Sequence, residues 1–297
     1  MVNSRRETET FPSCRRKPAS SPIGSWTPAF AGVTAIAGTM TDRIQPRQSE
    51  WQYQWSVLED REAWLFRDWI WPNKIEDFSG KTVLDAGCGP GHHLRLVAPA
   101  AKRAVGIDLN TAELARQRTK DLANIEIHDG DVSKWDSGER FDVVYSVGVV
   151  HHTADPDQTA KHLAELVRPG GRLILWVYSR EGNALNRFLV EPAKRLLLGW
   201  LPRPVVLAAS HLATAILYPI VHTIYRLPLR SLPFYEYFEN FRKLNYSRNQ
   251  LNVFDKLNAP TTHFIERPTA ERWMAGFSDV HISPYVGVSW RISGTKR

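Results

Sequence analysis

The sequence predicts an α/β fold on an open, largely parallel sheet, and three observations carry that expectation. Val83-Leu84-Asp85-Ala86 is a short apolar run that breaks into Gly87-Cys88-Gly89-Pro90-Gly91, as a buried strand does when it turns into a helix. Further apolar runs of strand length follow at Ala104-Val105-Gly106-Ile107, near Ile125-Glu126-Ile127, at Phe141 to Ser146 and at Leu173 to Val177. The chain has 297 residues, 43% of them hydrophobic, enough to bury a sizeable core in one large domain or one domain with an insertion.

The glycine loop is the first element to carry chemistry. Glycines at alternate positions let the backbone turn sharply and approach a ligand with no Cβ in the way. Asp85 ends the strand before them, at the sheet edge where open α/β folds bind ligands. A dinucleotide turn reads G-x-G-x-x-G and holds a pyrophosphate at the helix N-terminus. Gly87 and Gly89 fit that spacing, but His92 stands at the third position and the extra glycine comes early, at Gly91. An acid before G-x-G-x-G suits a ligand with an amino-acid end, whose ammonium Asp85 would face directly or through water. The pattern resembles the first motif of class I S-adenosylmethionine-dependent methyltransferases.

The downstream elements extend the resemblance, closely over residues 80 to 180 and loosely beyond. Asp108 ends the second strand 23 residues after Asp85, where an acidic side chain accepts ribose hydroxyls. The resemblance implies that Leu109 lies against the adenine, that Asp131 faces its amino group, and that the Val132 amide reads a ring nitrogen. It assigns the methionine end of S-adenosylmethionine to Asp85, Gly87, Cys88, Gly89 and Gly91, and adds Ser146 at the end of the fourth strand. Leu166-Val167-Arg168-Pro169-Gly170-Gly171-Arg172 matches the family's turn from helix to fifth strand. A helix over Glu271 to Phe277, capped by Gly276, should lead to two antiparallel strands, Val280 to Tyr285 and Val288 to Ser293. The implied fold is a Rossmann-like seven-stranded sheet, mostly parallel, with a terminal antiparallel hairpin and helices on both faces. Residues 81–178 and 276–297 form the expected core.

The rest of the chain divides by composition. Residues 1–39 are rich in Ser, Thr, Pro, Gly and Arg without helical or strand period, and disorder is expected there. The stretch from Lys17 to Thr34 resembles conceptual translations of a common bacterial intergenic repeat, so Met40 is the expected natural start. Residues 40–80 are read as a helical cap, with Trp51, Trp55 and Leu58 at i, i+4 and i+7 on one helix face. Such a helix either covers cofactor and substrate or packs on the sheet edge.

Residues 179–275 hold 13 Lys and Arg against 7 Asp and Glu, nearly all of the formal net charge of +7. In this fold that insertion builds the substrate side. Val205 to Tyr225 lacks any Asp, Glu, Lys or Arg. It is long enough for a membrane span, but Ser210, His211, Thr214, His222 and Thr223 dilute it and Pro219 should kink or split it. The alternatives are a buried helical lid and a helix in the membrane interface with basic flanks on anionic lipid. Asn252 to Pro260 is read as a loop over the pocket, with Asp255 and His263 as candidate substrate contacts.

Methyl transfer requires alignment and exclusion of water, and a base only where the acceptor must lose a proton. His151 and His152 follow the fourth strand and are the candidate bases. Two cysteines, Cys14 and Cys88, give neither a disulfide framework nor metal-ligand spacing, so no metal and a reducing, cytoplasmic setting are expected. Ser146-Val147-Gly148-Val149 stands where base-methylating relatives carry Asn/Asp-Pro-Pro-aromatic, and no basic tract interleaved with aromatics is present, so no nucleic-acid partner is expected. The expected acceptor is a small or lipid-linked molecule methylated on oxygen or carbon, such as a quinone-like or glycan-lipid intermediate. Two rivals are a nicotinamide-dependent oxidoreductase and a non-catalytic protein that keeps the cofactor pocket.

Overall fold

Short apolar segments alternate with helices along the chain, and each segment becomes a strand of one sheet in the computed structural model, which describes residues 49–58 and 63–297. The expected tail and the Met40 start lie outside those residues. The strands are β1 (Thr82–Ala86), β2 (Arg103–Asp108), β3 (Ile125–Asp129), β4 (Phe141–Val147), β5 (Val167–Tyr178), β6 (Phe277–Tyr285) and β7 (Ser289–Lys296). Their spatial order is β3-β2-β1-β4-β5-β7-β6. The first five run parallel, and β7 lies antiparallel between β5 and β6. The expected seven-stranded sheet with its terminal hairpin is therefore present.

Both faces of the central strands are covered, which is why they read as continuous apolar runs rather than alternating ones. Every residue of β4 is buried. On one face, Phe66 and Ile70 of α2 (Ala63–Ile70) and Leu94 and Val97 of α3 (His92–Val97) pack with Val83, Val143 and Tyr145, beside α4 (Ala112–Thr119). On the other, Leu163 and Leu166 of α5 (Pro156–Leu166) join Leu84, Val144, Leu175 and Ile292. The connection reverses direction between β1 and β4, opening a crevice at the carboxyl ends of the strands.

The remaining helices are α1 (Ser49–Val57), a run of short helical pieces over 186–198 here called α6, α7 (Arg203–Thr223), α8 (Tyr235–Phe241), α9 (Tyr246–Asn258) and α10 (Arg267–Trp273). Several expectations need correction. Most of the segment from Asn252 to Pro260 is not a loop: Asn252 to Asn258 form the second half of α9, whose start is capped by the Asn245 side chain accepting from the Arg248 amide, and only Ala259 and Pro260 lie beyond it. The α10 helix stops at Trp273, short of Gly276, and Gly276 is not among the glycines with positive φ. β5 begins at Val167 and absorbs the supposed turn, with a register shift against β4 at Phe141 and Val143. β6 and β7 each run three residues beyond the expected limits at one end.

The apolar stretch is one helix that continues through Pro219. The carbonyl four residues earlier, which a proline cannot serve, belongs to exposed Ala215, where water can take the missing bond. Nor is it a buried lid, since only 22% of its apolar stretch is buried.

Candidate active site

The carboxyl ends of β1, β2, β3, β4 and β5 surround a cavity of about 650 Å³, closed from the side by α1 and α9. The glycine loop forms its floor. Gly87 has φ +88°, and a Cβ there would sit 2.4 Å from Val149 Cγ2, so only glycine fits. Asp108 organises the loop: its Oδ2 accepts from the Gly89 amide at 3.0 Å, and its Oδ1 accepts from the amides of Asn110 and Thr111. Exposed Leu109 lies beside it on the cavity wall. From the end of β3, Asp131 is fixed by the Ser133 amide and hydroxyl at 2.9 and 2.7 Å, with Val132 next to it.

Nine of the expected site residues line this cavity: Gly87, Cys88, Gly89, Asp108, Leu109, Asp131, Val132, His151 and His152. Asp85, Gly91 and Ser146 do not. Ser146 is fully buried and donates to the Ala86 carbonyl at 2.7 Å, tying β4 to β1. Gly91 caps α3 from below.

Asp85 lies beneath the loop, 1% exposed. The β1–β4 register sets it opposite Tyr145, whose hydroxyl donates to Asp85 Oδ2 at 2.9 Å, while Oδ1 has no hydrogen-bond partner among the described residues. Burial raises the Asp85 pKa to about 8, the Tyr145 bond opposes that, and the Asp108 charge adds to it. Burial and the nearby carboxylates push the Cys88 thiol well up, which argues against a nucleophile.

Across the cavity stand the two histidines. His151 is fully buried, and neither ring nitrogen has a hydrogen-bond partner among the described residues. Its ring lies 4.1 Å from that of His152 and 4.3 Å from that of Tyr178, centroid to centroid. Burial holds its pKa well below the usual imidazole value, and His152, Lys256 and His263 add to this. Burial thus favours the neutral imidazole, with both ring nitrogens unpartnered among the described residues. His152 differs: its Nδ1 donates to the Thr261 carbonyl at 2.7 Å and its ring packs against Trp51, tilted by 53° at 4.9 Å between centroids. Burial lowers its pKa as well, partly offset by Asp255 and that hydrogen bond.

The far wall joins Trp51, Trp55 and Asp255, which the sequence singled out, to Gln54, Trp176, Tyr178, Arg248 and Leu251, which it did not. Trp69 and Trp176 face one another at 5.0 Å, and Trp176 Nε1, like Asp85 Oδ1 and the His151 nitrogens, is buried with no partner among the described residues. α1 contributes Trp51, Gln54 and Trp55 to the cavity, and α9 contributes Arg248, Leu251, Asn252 and Asp255. The two helices are pinned together: Gln54 Nε2 donates to Asp255 Oδ1 at 3.0 Å, Tyr178 donates to Asp255 Oδ2 at 3.2 Å, and Asn258 Nδ2 donates to the Glu50 carbonyl at 2.9 Å. His263 does not line the cavity; its amide holds the His151 carbonyl at 2.8 Å.

Residues 63–206 match the model of the methyltransferase domain family. This region is a class I methyltransferase domain. Its cofactor is S-adenosylmethionine, and the nicotinamide reading of the glycine loop falls with that assignment. Among curated relatives, the chain is 31% identical to the tRNA U34 carboxymethyltransferase of Idiomarina loihiensis, over 39% of each protein. It is 36% identical to the enzyme of the same name from Pseudoalteromonas translucida, over 39% of this chain and 38% of that one. The chain therefore spans about two fifths of the length of the curated relatives it matches. Among solved structures, the 1,6-didemethyltoxoflavin-N1-methyltransferase of Burkholderia thailandensis covers 84% of this chain and 86% of its own at 14% identity, with a TM-score of 0.47.

The methyltransferase domain's own residues fit this cofactor. It carries positive charge on a sulfonium and an ammonium. The cavity offers the Asp108 and Asp131 carboxylates, an orphaned Asp85 oxygen under the loop, and tryptophan and tyrosine rings. The same carboxylates would oppose a pyrophosphate.

Proposed function

We propose that this chain transfers a methyl group from S-adenosylmethionine to an oxygen or carbon of a small or lipid-linked acceptor. The observation that supports this reading best is His151, a fully buried imidazole with two unengaged nitrogens on the cavity that the glycine loop and the strand-end acids also bound. Gly87, Cys88 and Gly89 take the methionine end, with Asp85 and Gly91 supporting the loop from outside the cavity, Asp108 takes the ribose, and Leu109, Asp131 and Val132 the adenine, with Ser146 bracing the strand beneath. When bound, S-adenosylmethionine supplies a methyl group already activated on sulfur.

His151 would accept the proton that the acceptor gives up, from O–H where an oxygen lone pair makes the new bond or from C–H where the freed C–H pair makes it. His152, held by Thr261 and Trp51, keeps the His151 ring in place. The tryptophan walls suit a flat ring on the acceptor. α1 acts as a cap that excludes water, and 179–275 as the substrate-side insertion.

An RNA acceptor is the second reading, favoured by the names of the relatives. One experiment separates the readings: incubation with methyl-tritiated S-adenosylmethionine and host lysate, followed by organic, small-molecule and RNA fractionation. Label in the organic or small-molecule fraction, absent with Asp108→Ala, is expected. Label confined to RNA would overturn the acceptor class. Cofactor binding without label in any fraction would favour the non-catalytic rival.

A further inference from the structure

Helix α7 is inverted for a helix packed in water. Its buried positions are Val206, Ser210, Thr214 and Val221, two of them hydroxyl residues. Ser210 Oγ accepts from Gln250 Nε2 of α9 at 3.0 Å, and Tyr246 of α9 donates to the His211 carbonyl at 3.3 Å. The opposite face carries Leu212, Ile216 and Ile220 at four-residue spacing, 65%, 58% and 37% exposed. A helix on a globular protein normally turns its apolar stripe inwards.

The exposed apolar side chains continue along the chain on both sides of α7, at Phe188, Leu197 and Trp200 before it and at Leu227 and Leu229 after it. Between residues 182 and 235 there are six basic residues and one acid, Glu191, whose carboxylate is paired with buried Lys194 at 2.7 Å. Arg195, Arg226 and Arg230 are exposed. Apolar side chains bordered by arginines with no unpaired carboxylate complement anionic lipid. A two-fold contact with a second copy would instead bring a net-basic segment against itself.

We propose that this face docks on an anionic lipid bilayer, with α7 in the plane of the interface and Leu212, Ile216 and Ile220 among the acyl chains. The helix does not cross the bilayer, because its inner face is hydrogen-bonded to α9. The other side of α9 lines the cavity with Arg248, Leu251, Asn252 and Asp255, which sets the site one helix away from lipid. Docking does not depend on which acceptor is methylated.

The test is sedimentation of the full chain with phosphatidylcholine vesicles, with or without about 30% phosphatidylglycerol. Binding to the anionic vesicles is expected, at least about tenfold weaker on the zwitterionic ones or in high salt. Leu212→Asp combined with Ile216→Asp should cut partitioning about tenfold or more. S-adenosylmethionine binding, measured separately by equilibrium dialysis, should be unchanged and so reports an intact fold. Should that variant lose cofactor binding too, Arg226→Glu with Arg230→Glu tests the same face through charge. A chain that ignores both vesicle types overturns the proposal, as do variants that bind as well as the unaltered chain. So does a stable dimer in ultracentrifugation that Ile216→Asp splits.

Discussion

Replacing Asp85 by asparagine removes a buried carboxyl whose ionisation the fold resists. In the folded chain the carboxyl keeps its proton up to about pH 8, against an ordinary value of 3.8. The raised value sets the sign: the folded state binds the proton more tightly, so this group's contribution is fully present below the unfolded pKa and is lost as pH rises towards 8. Each unit separating the two states corresponds to about 1.4 kcal/mol, so between about pH 6 and pH 8 the unaltered chain should lose roughly 2 kcal/mol through Asp85 alone. The asparagine chain has no proton to lose there, and its carbonyl oxygen can still accept from Tyr145. Urea unfolding at both pH values reads the difference between the chains, in which the other titrating groups cancel. Equal losses in the two chains would refute the argument that desolvation under the loop governs Asp85.

Other substitutions probe the same cavity. His151→Ala should lower kcat about 100-fold while cofactor affinity by equilibrium dialysis stays within about twofold. Because burial keeps His151 neutral, the turnover of the unaltered chain should hold as pH falls past the ordinary imidazole value and decline only at lower pH. A pH profile that breaks near 6.5 would contradict this. Gly87→Ala combines a left-handed backbone with a Cβ 2.4 Å from Val149 Cγ2. It should destabilise the fold by roughly 2–5 kcal/mol, visible as a lower Tm, and abolish cofactor binding. Gln54→Ala leaves Asp255 Oδ1 without the donor that ties α1 to α9. A loss of about 1–3 kcal/mol and a raised KM for the acceptor are expected, with cofactor affinity nearly unchanged.

The part of the cavity built on the glycine loop and the strand ends was legible in the sequence because its residues are local. A strand, a turn and the next residues carry the loop, Asp108 closes β2 and Asp131 follows two residues after the end of β3, so spacing along the chain becomes position around the crevice. The acceptor half was not local. Trp176 and Tyr178 lie at the far end of β5, and Arg248 and Leu251 sit on a helix that was missed because the reading began at Asn252, seven residues past its Asn245 cap. Buried Leu251 and Phe254, spaced i to i+3, were the available signal. Asp85 was expected at the ligand, yet its alternation along β1 turns it beneath the loop towards Tyr145. The apolar run of α7 was seen, but only tertiary packing shows which face stays outside.

The most direct measurement is a crystal structure of the chain with bound S-adenosylhomocysteine. The account predicts the amino-acid end on the Gly87–Gly91 loop, both ribose hydroxyls on Asp108, and the sulfur facing His151. A ligand seated elsewhere, or one whose sulfur points away from His151 towards solvent, would contradict it.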